Sequence, residues 1–87
     1  MSIVSRVGPA PEIAIESAGT GEIVFFMHGI GGNRTNWHGQ LEAFSPTYRA
    51  IAWDARGYGD SSDYPGRLDF ADFASDLLRV LDHLDAV

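Results

Sequence analysis

Apolar and polar residues alternate over 12–16 (EIAIE), the pattern of a strand with one face buried. Residues 23–27 (IVFFM) are five consecutive apolar positions, β-branched and aromatic, which predicts a strand covered on both faces. Between them Ala18-Gly19-Thr20-Gly21 reads as a turn, and locally the two runs read as a hairpin. Residues 1–11, with Gly8, Pro9 and Pro11, read as an irregular lead-in with room for a short strand before it. Trp37, Leu41 and Phe44 recur at helical spacing, so a short helix is expected over 37–44, capped by Thr35 or Asn36 and stopped by Pro46. Residues 48–53 (YRAIAW) predict another strand. The last segment predicts a helix from about residue 70 to 85. Asp69 sits at its N-cap, and Asp72, Asp76, Arg79 and Asp82 lie on its polar face.

Strand 23–27, helix 37–44 and strand 48–53 make a βαβ unit with a right-handed crossover, and the alternating elements predict an α/β layer fold. No internal repeat is present.

Composition narrows the chemistry. The 87 residues carry a net charge of −6, with no cysteine and no lysine. Disulfides, four-cysteine zinc sites, a P-loop lysine and Schiff-base chemistry are excluded. The acidic balance argues against nucleic acid as a partner. Eight aspartates lie between Asp54 and Asp85, and they read as a solvated helix face and loop. No apolar stretch approaches the ~20 residues of a membrane span, so no membrane partner is expected. The N-terminus shows no secretory signal, and the expected location is cytoplasmic.

In open α/β sheets, ligands bind beyond the carboxyl ends of the strands. Two glycine-rich loops occupy that place: His28–Thr35, and Asp54–Ser61. The first loop is open to three uses. A dinucleotide site would want G-x-G-x-x-G, but the sixth position is Arg34; Asp54, about 20 residues on, stands where a ribose-binding acid belongs. A metal would recruit His28, His38 or Asp54, none of which has ligand spacing with another on one element. An oxyanion hole would use a backbone N–H aimed at a developing negative charge.

His28-Gly29-Ile30-Gly31-Gly32, with Trp37 behind it, resembles the HGxxG oxyanion loop of the α/β-hydrolase family. Asp54-x-Arg56-Gly57-x-Gly59-x-Ser61 resembles that family's D-x-R-G-x-G-x-S turn. The resemblance covers residues 12–87 and looks most like esterases and enol-lactonase-type hydrolases. It implies an α/β fold: part of a mostly parallel sheet with crossover helices, incomplete here. Residues 1–87 would be the N-terminal fragment of a single domain, with no second domain.

The resemblance also implies roles. The Ile30 backbone N–H would be one of two oxyanion donors. His28 would brace the loop rather than catalyse, since the family's triad runs Ser, acid, His. Gly29, Gly31 and Gly32 would shape the turn, and Trp37 would be helix core or pocket lining. Asp54, Arg56, Gly57 and Gly59 would be scaffold, with Asp54 and Arg56 bonding the loop backbones. Ser61 lacks the closing glycine of G-x-S-x-G, and no such elbow occurs in the 87 residues. The expected substrate is a small ester or lactone, with no cofactor and no metal, and the 87 residues alone are expected to be inactive. In the family's sheet YRAIAW lies between the other two strands, which removes the hairpin and leaves 23–27 with a bare edge suited to self-association. A non-catalytic α/β interaction module and a dinucleotide-binding βαβ unit are the alternatives.

Overall fold

The computed structural model describes residues 2–29, 32–61 and 70–84; for Phe70 it describes the backbone only. Four strands, β1 (Ile3–Val7), β2 (Ile13–Ala18), β3 (Ile23–Phe26) and β4 (Arg49–Trp53), form one sheet in the order β1-β2-β4-β3. A 3₁₀ turn (Arg34–Trp37) leads into α1 (His38–Phe44), and α2 spans Phe70–His83.

The expected crossover is present: β3 and β4 run parallel, with Val24 opposite Ala50 and Phe26 opposite Ala52, and α1 connects them. The pairs β1–β2 and β2–β4 are antiparallel. The hairpin suggested by local sequence does not form, because β4 is inserted between β2 and β3. Its residues dictate that central place: Ala50, Ile51 and Ala52 are fully buried, which only a strand covered on both faces and paired on both edges allows. Gly19 makes the detour around β4 feasible. Its φ is 88°, and a Cβ there would overlap the carbonyl oxygens of Tyr48 and Ser45.

The lead-in contains a true strand, β1, whose Val7 is buried opposite Ile13. β2 is not half-buried as its alternation suggested: Ile13, Ala14, Ile15 and Glu16 are all buried. Neither Thr35 nor Asn36 caps α1, whose N-cap is Trp37 with no side-chain bond; the cap is Asn33, at the start of the preceding 3₁₀ turn. Asn33 accepts from Thr35 N–H at 2.9 Å, and Asn33 N–H donates to the Asn36 side chain at 2.8 Å, a reciprocal cap. Asp69 lies outside the described residues.

The helices cover opposite faces. Leu41 of α1, with Trp37, packs over Ala50, Ala52 and Phe26. Val80 of α2, with Phe73, Leu77 and Leu84, packs over Ile13, Ile15, Ile51, Trp53 and Phe25. Small alanines on one face of β4 admit α1 closely, while the larger Ile51 and Trp53 fill the space under α2.

The reading of the aspartates as a solvated surface fails at two of them, Asp54 and Asp76, which are fully buried. Asp76 of α2 accepts from Arg56 Nε and Nη2, each at 2.6 Å, and from Arg79 Nη2 at 2.9 Å. Arg79 also donates to the carbonyls of Pro9 and Pro11 at 2.8 and 2.9 Å, fastening α2 to the β1–β2 turn. Burial pushes the Asp76 carboxyl up, but the bonds and charges of Arg56 and Arg79 outweigh it and hold the group below its ordinary value. No helix among the described residues is long and apolar enough to cross a membrane.

Candidate active site

β3 and β4 run in the same direction, so the segments leaving their carboxyl ends emerge side by side. From β3 the chain continues through Met27, His28 and Gly29; from β4 it continues through Asp54 to Ser61. His28 joins the two. Its Nδ1 donates to the Gly29 carbonyl at 2.8 Å, and its Nε2 accepts from the Ala55 N–H at 3.1 Å. A carbonyl can only accept and an amide only donate, so these partners place the ring hydrogen on Nδ1. The ring stands edge-on to Tyr58, 5.1 Å between centroids.

Ile30 and Gly31 lie outside the described residues. Gly29 is exposed and has open space where a Cβ would stand. Gly32 closes the loop, its N–H donating to the Gly29 carbonyl at 3.0 Å, and a Cβ on it would press on Asn36 and His28. Trp37 stacks on Phe26 at 5.1 Å on the α1 face. Its indole N–H, like that of Trp53, is buried and has no hydrogen-bond partner among the described residues.

In the second loop Asp54 is the centre. One carboxylate oxygen accepts from the Arg34 N–H at 2.6 Å; the other accepts from Arg34 Nη1 at 2.5 Å and from the Asp60 N–H at 2.9 Å. Gly59, at φ 49°, lies against that carboxylate so closely that a Cβ would overlap it. Gly57 also has positive φ, at 81°. Arg56 ties this loop to α2 through Asp76. Ser61 Oγ accepts from the Ala14 N–H at 2.8 Å and donates to the Asp54 carbonyl, bridging β2 and the loop.

Sequence reasoning missed Arg34 as a site residue. Its guanidinium reaches Asp54, Asp60 at 2.8 Å and Glu16 at 3.1 Å. Burial lowers the Arg34 pKa, but the bonds and charges of Asp54 and Asp60 outweigh it and raise the pKa above its ordinary value, so the cation is held firmly. Glu16 also accepts from Ser2 Oγ at 2.5 Å and lies 3.0 Å from His38 Nε2. Burial pushes the Glu16 carboxyl up, and the hydrogen bonds from Ser2, His38 and Arg34 bring it below its ordinary value. The only local hint of Arg34's part was a long cation in an otherwise small, glycine-rich loop. Its partners are too far away in sequence to be paired with it by inspection.

A cleft of about 300 Å³ opens between the loops, lined by Met27, His28, Gly29, Trp53, Ala55, Tyr58 and Phe73. It is largely apolar, as small-molecule sites usually are. The dinucleotide reading loses its acid here: Asp54 is buried and its oxygens are taken by Arg34 and Asp60, leaving none to offer a ribose. No group of three His, Asp or Glu among the described residues could hold a metal.

A family model described as alpha/beta hydrolase fold matches residues 22–86. A non-heme chloroperoxidase from Kitasatospora aureofaciens is 41% identical over 75 residues, covering 85% of this chain and 27% of that protein. A 3-oxoadipate enol-lactonase from Acinetobacter baylyi is 30% identical, covering 86% and 30%. Among solved structures, a thermophilic esterase from Thermogutta terrifontis superposes with a TM-score of 0.82 at 33% identity, over 98% of this chain and 32% of its own. An epoxide hydrolase from Vigna radiata superposes with a TM-score of 0.91 at 27% identity, over 97% and 27%. The chain thus spans under a third of the length of each of these proteins. Motifs, strand order and similarity agree: the chain belongs to the α/β-hydrolase fold family.

Proposed function

We propose that these residues form the oxyanion-loop portion of a hydrolase that cleaves a carboxylic ester or lactone. The observation that carries this reading is the His28–Ala55 bond, which sets the loop after β3 beside the loop after β4 at the mouth of an apolar cleft. In this reading the Ile30 backbone N–H is one of two donors to the oxyanion of a tetrahedral intermediate, and loss of one such donor costs roughly 3 kcal/mol in the transition state. A serine supplied from outside residues 1–87 attacks the carbonyl, and water then releases the acyl group. His28 braces the loop, and Gly29, Gly31 and Gly32 give it its shape. Similarity to an esterase and an enol-lactonase supports the ester or lactone class.

The 87 residues on their own are inactive in this reading, because they contain no G-x-S-x-G elbow. The free edge of β3 is its second consequence. Among the described residues β3 pairs with β4 alone, and Ile23–Phe26 carries no charge or proline to block a further strand, so the isolated chain self-associates there.

The test is a panel of short-chain esters, lactones and epoxides offered to the full-length protein, with a serine-directed phosphonate as label. Ester or lactone turnover with a labelled serine beyond residue 87 supports the reading. Turnover of epoxides alone, with no serine labelled, transfers the site to the chemistry named for the Vigna radiata relative.

A further inference from the structure

The loop after β3 is pinned at both ends to two consecutive residues. At its entry, His28 Nε2 takes the Ala55 N–H; at its exit, the Arg34 N–H and Nη1 take both oxygens of Asp54. The entry pin is one neutral hydrogen bond. The exit pin is a charge-assisted fork. The same guanidinium reaches Asp60 in the second loop and Glu16 in β2, so one planar group holds three chain segments separated by 18 to 26 residues. Its side chain is 14% exposed, and Asp54 is fully buried.

We propose that Arg34 is a positioning residue: its fork on Glu16, Asp54 and Asp60 sets where the loop after β3 stands relative to the loop after β4, and so sets the geometry of the reacting site. The catalytic half of this inference rests on the ester-cleaving reading above; the loop-placing half does not. Buried ion pairs contribute little net stability once desolvation is counted, and fixing a register is their best-attested use. A guanidinium is suited to that use because its donors lie in one rigid plane, whereas an ammonium is a point charge on a flexible stem. Glu16 belongs to β2, inside the sheet, so the fork refers the loop to the rigid frame rather than to another loop alone.

The experiment compares Arg34→Lys, Asp60→Asn and Arg79→Gln in the full-length protein, by amide hydrogen exchange and by ester kinetics well below the melting temperature. Arg34→Lys keeps the charge and loses the fork. Asp60 is largely exposed, so Asp60→Asn trims one arm at no risk to folding. Arg79→Gln weakens the α2 clamp, which touches neither Arg34 nor Asp54 and reaches the second loop only through Asp76 and Arg56, and it controls for lost stability. Expected in Arg34→Lys is faster exchange at the amides of 32–36 and 60, by about tenfold or more, the effect of losing a charge-assisted hydrogen bond. Amides of β2 and β4 keep their protection. The same variant loses about 10²-fold in kcat, the scale of a 1 Å misplacement, with KM within about threefold. Asp60→Asn shows the same pattern more weakly, and Arg79→Gln shows neither change. Unchanged loop exchange in both Arg34→Lys and Asp60→Asn, or a rise spread evenly over the sheet, overturns the loop-placing role. Faster loop exchange with wild-type kcat overturns the catalytic half. If the wild-type protein cleaves no ester or lactone, the functional reading falls, and hydrogen exchange alone judges Arg34.

Discussion

Arg34 and Asp54 meet twice: the backbone N–H and the guanidinium of one residue engage the two carboxylate oxygens of the other, at 2.6 and 2.5 Å. Neither residue could do this from its own element. Asp54 stands at the end of the central strand, and Arg34 opens the 3₁₀ turn before α1. The crossover brings the two together where the loops converge. Asp54 is therefore the post on which the second loop folds and the first is tied.

The space around that post is filled. Gly59→Ala places a methyl group against a carboxylate that has no room to retreat, at a φ of 49° that side chains adopt at a cost of roughly 1–2 kcal/mol. The expected loss is about 2–3 kcal/mol in a urea unfolding curve, strain and displaced bonds together. Gly29→Ala, which meets open space, is expected to change stability by no more than about 0.5 kcal/mol.

Asp76 predicts an acid limb. Its folded pKa is depressed, so its contribution to stability is present above the ordinary value of 3.8 and is lost as pH falls below that toward the folded value. Asp76→Asn is expected to cost about 3 kcal/mol at neutral pH by leaving two guanidinium groups without their shared anion. In thermal melts from pH 7 to pH 2 the variant should lose less further stability below pH 4 than the wild type does. An acid limb of equal depth in both proteins would refute the assignment.

Ser61 is a strut in this structure, its hydroxyl engaged at both ends by Ala14 and Asp54. Ser61→Ala should cost about 1–2 kcal/mol, since it strands the buried Ala14 N–H. A serine-directed phosphonate should leave Ser61 unlabelled in the wild-type protein. Mass-spectrometric detection of a label at that residue would contradict both statements.

The edge of β3 can be blocked by charge. Val24→Lys puts a cation in the middle of the strand, a common natural defence of free edges. Size-exclusion chromatography of the isolated 87 residues over a concentration series should show association, and the variant should elute at a smaller apparent size. Equal profiles for the two proteins would remove the edge as the contact.

Local patterning was enough to find most elements and the parallel crossover. A run such as IVFFM, or the apolar spacing of Phe73, Leu77 and Leu84, reports which side of a strand or helix leaves water, and that property belongs to a few adjacent residues. It was also enough to place His28–Gly32 and Asp54–Gly59 at strand ends. Strand order was beyond local reading: the hairpin rule favoured β2 against β3, and only the recurrence of family motifs argued for β4 between them.

The fate of the charges belonged to the tertiary structure alone. Asp54, Asp76 and Glu16 look in sequence like any solvated carboxylates, and Arg34 like an obstruction in a glycine loop. The arginines that pair with these three carboxylates lie from 3 to 20 residues away, and in three of the four pairings at 18 or 20. Burying a charge is costly until its counter-ion arrives, so whether a carboxylate faces water or the interior depends on where a distant guanidinium is delivered by the fold. Hydrophobic period is a property of neighbours in the chain; charge pairing is a property of neighbours in space.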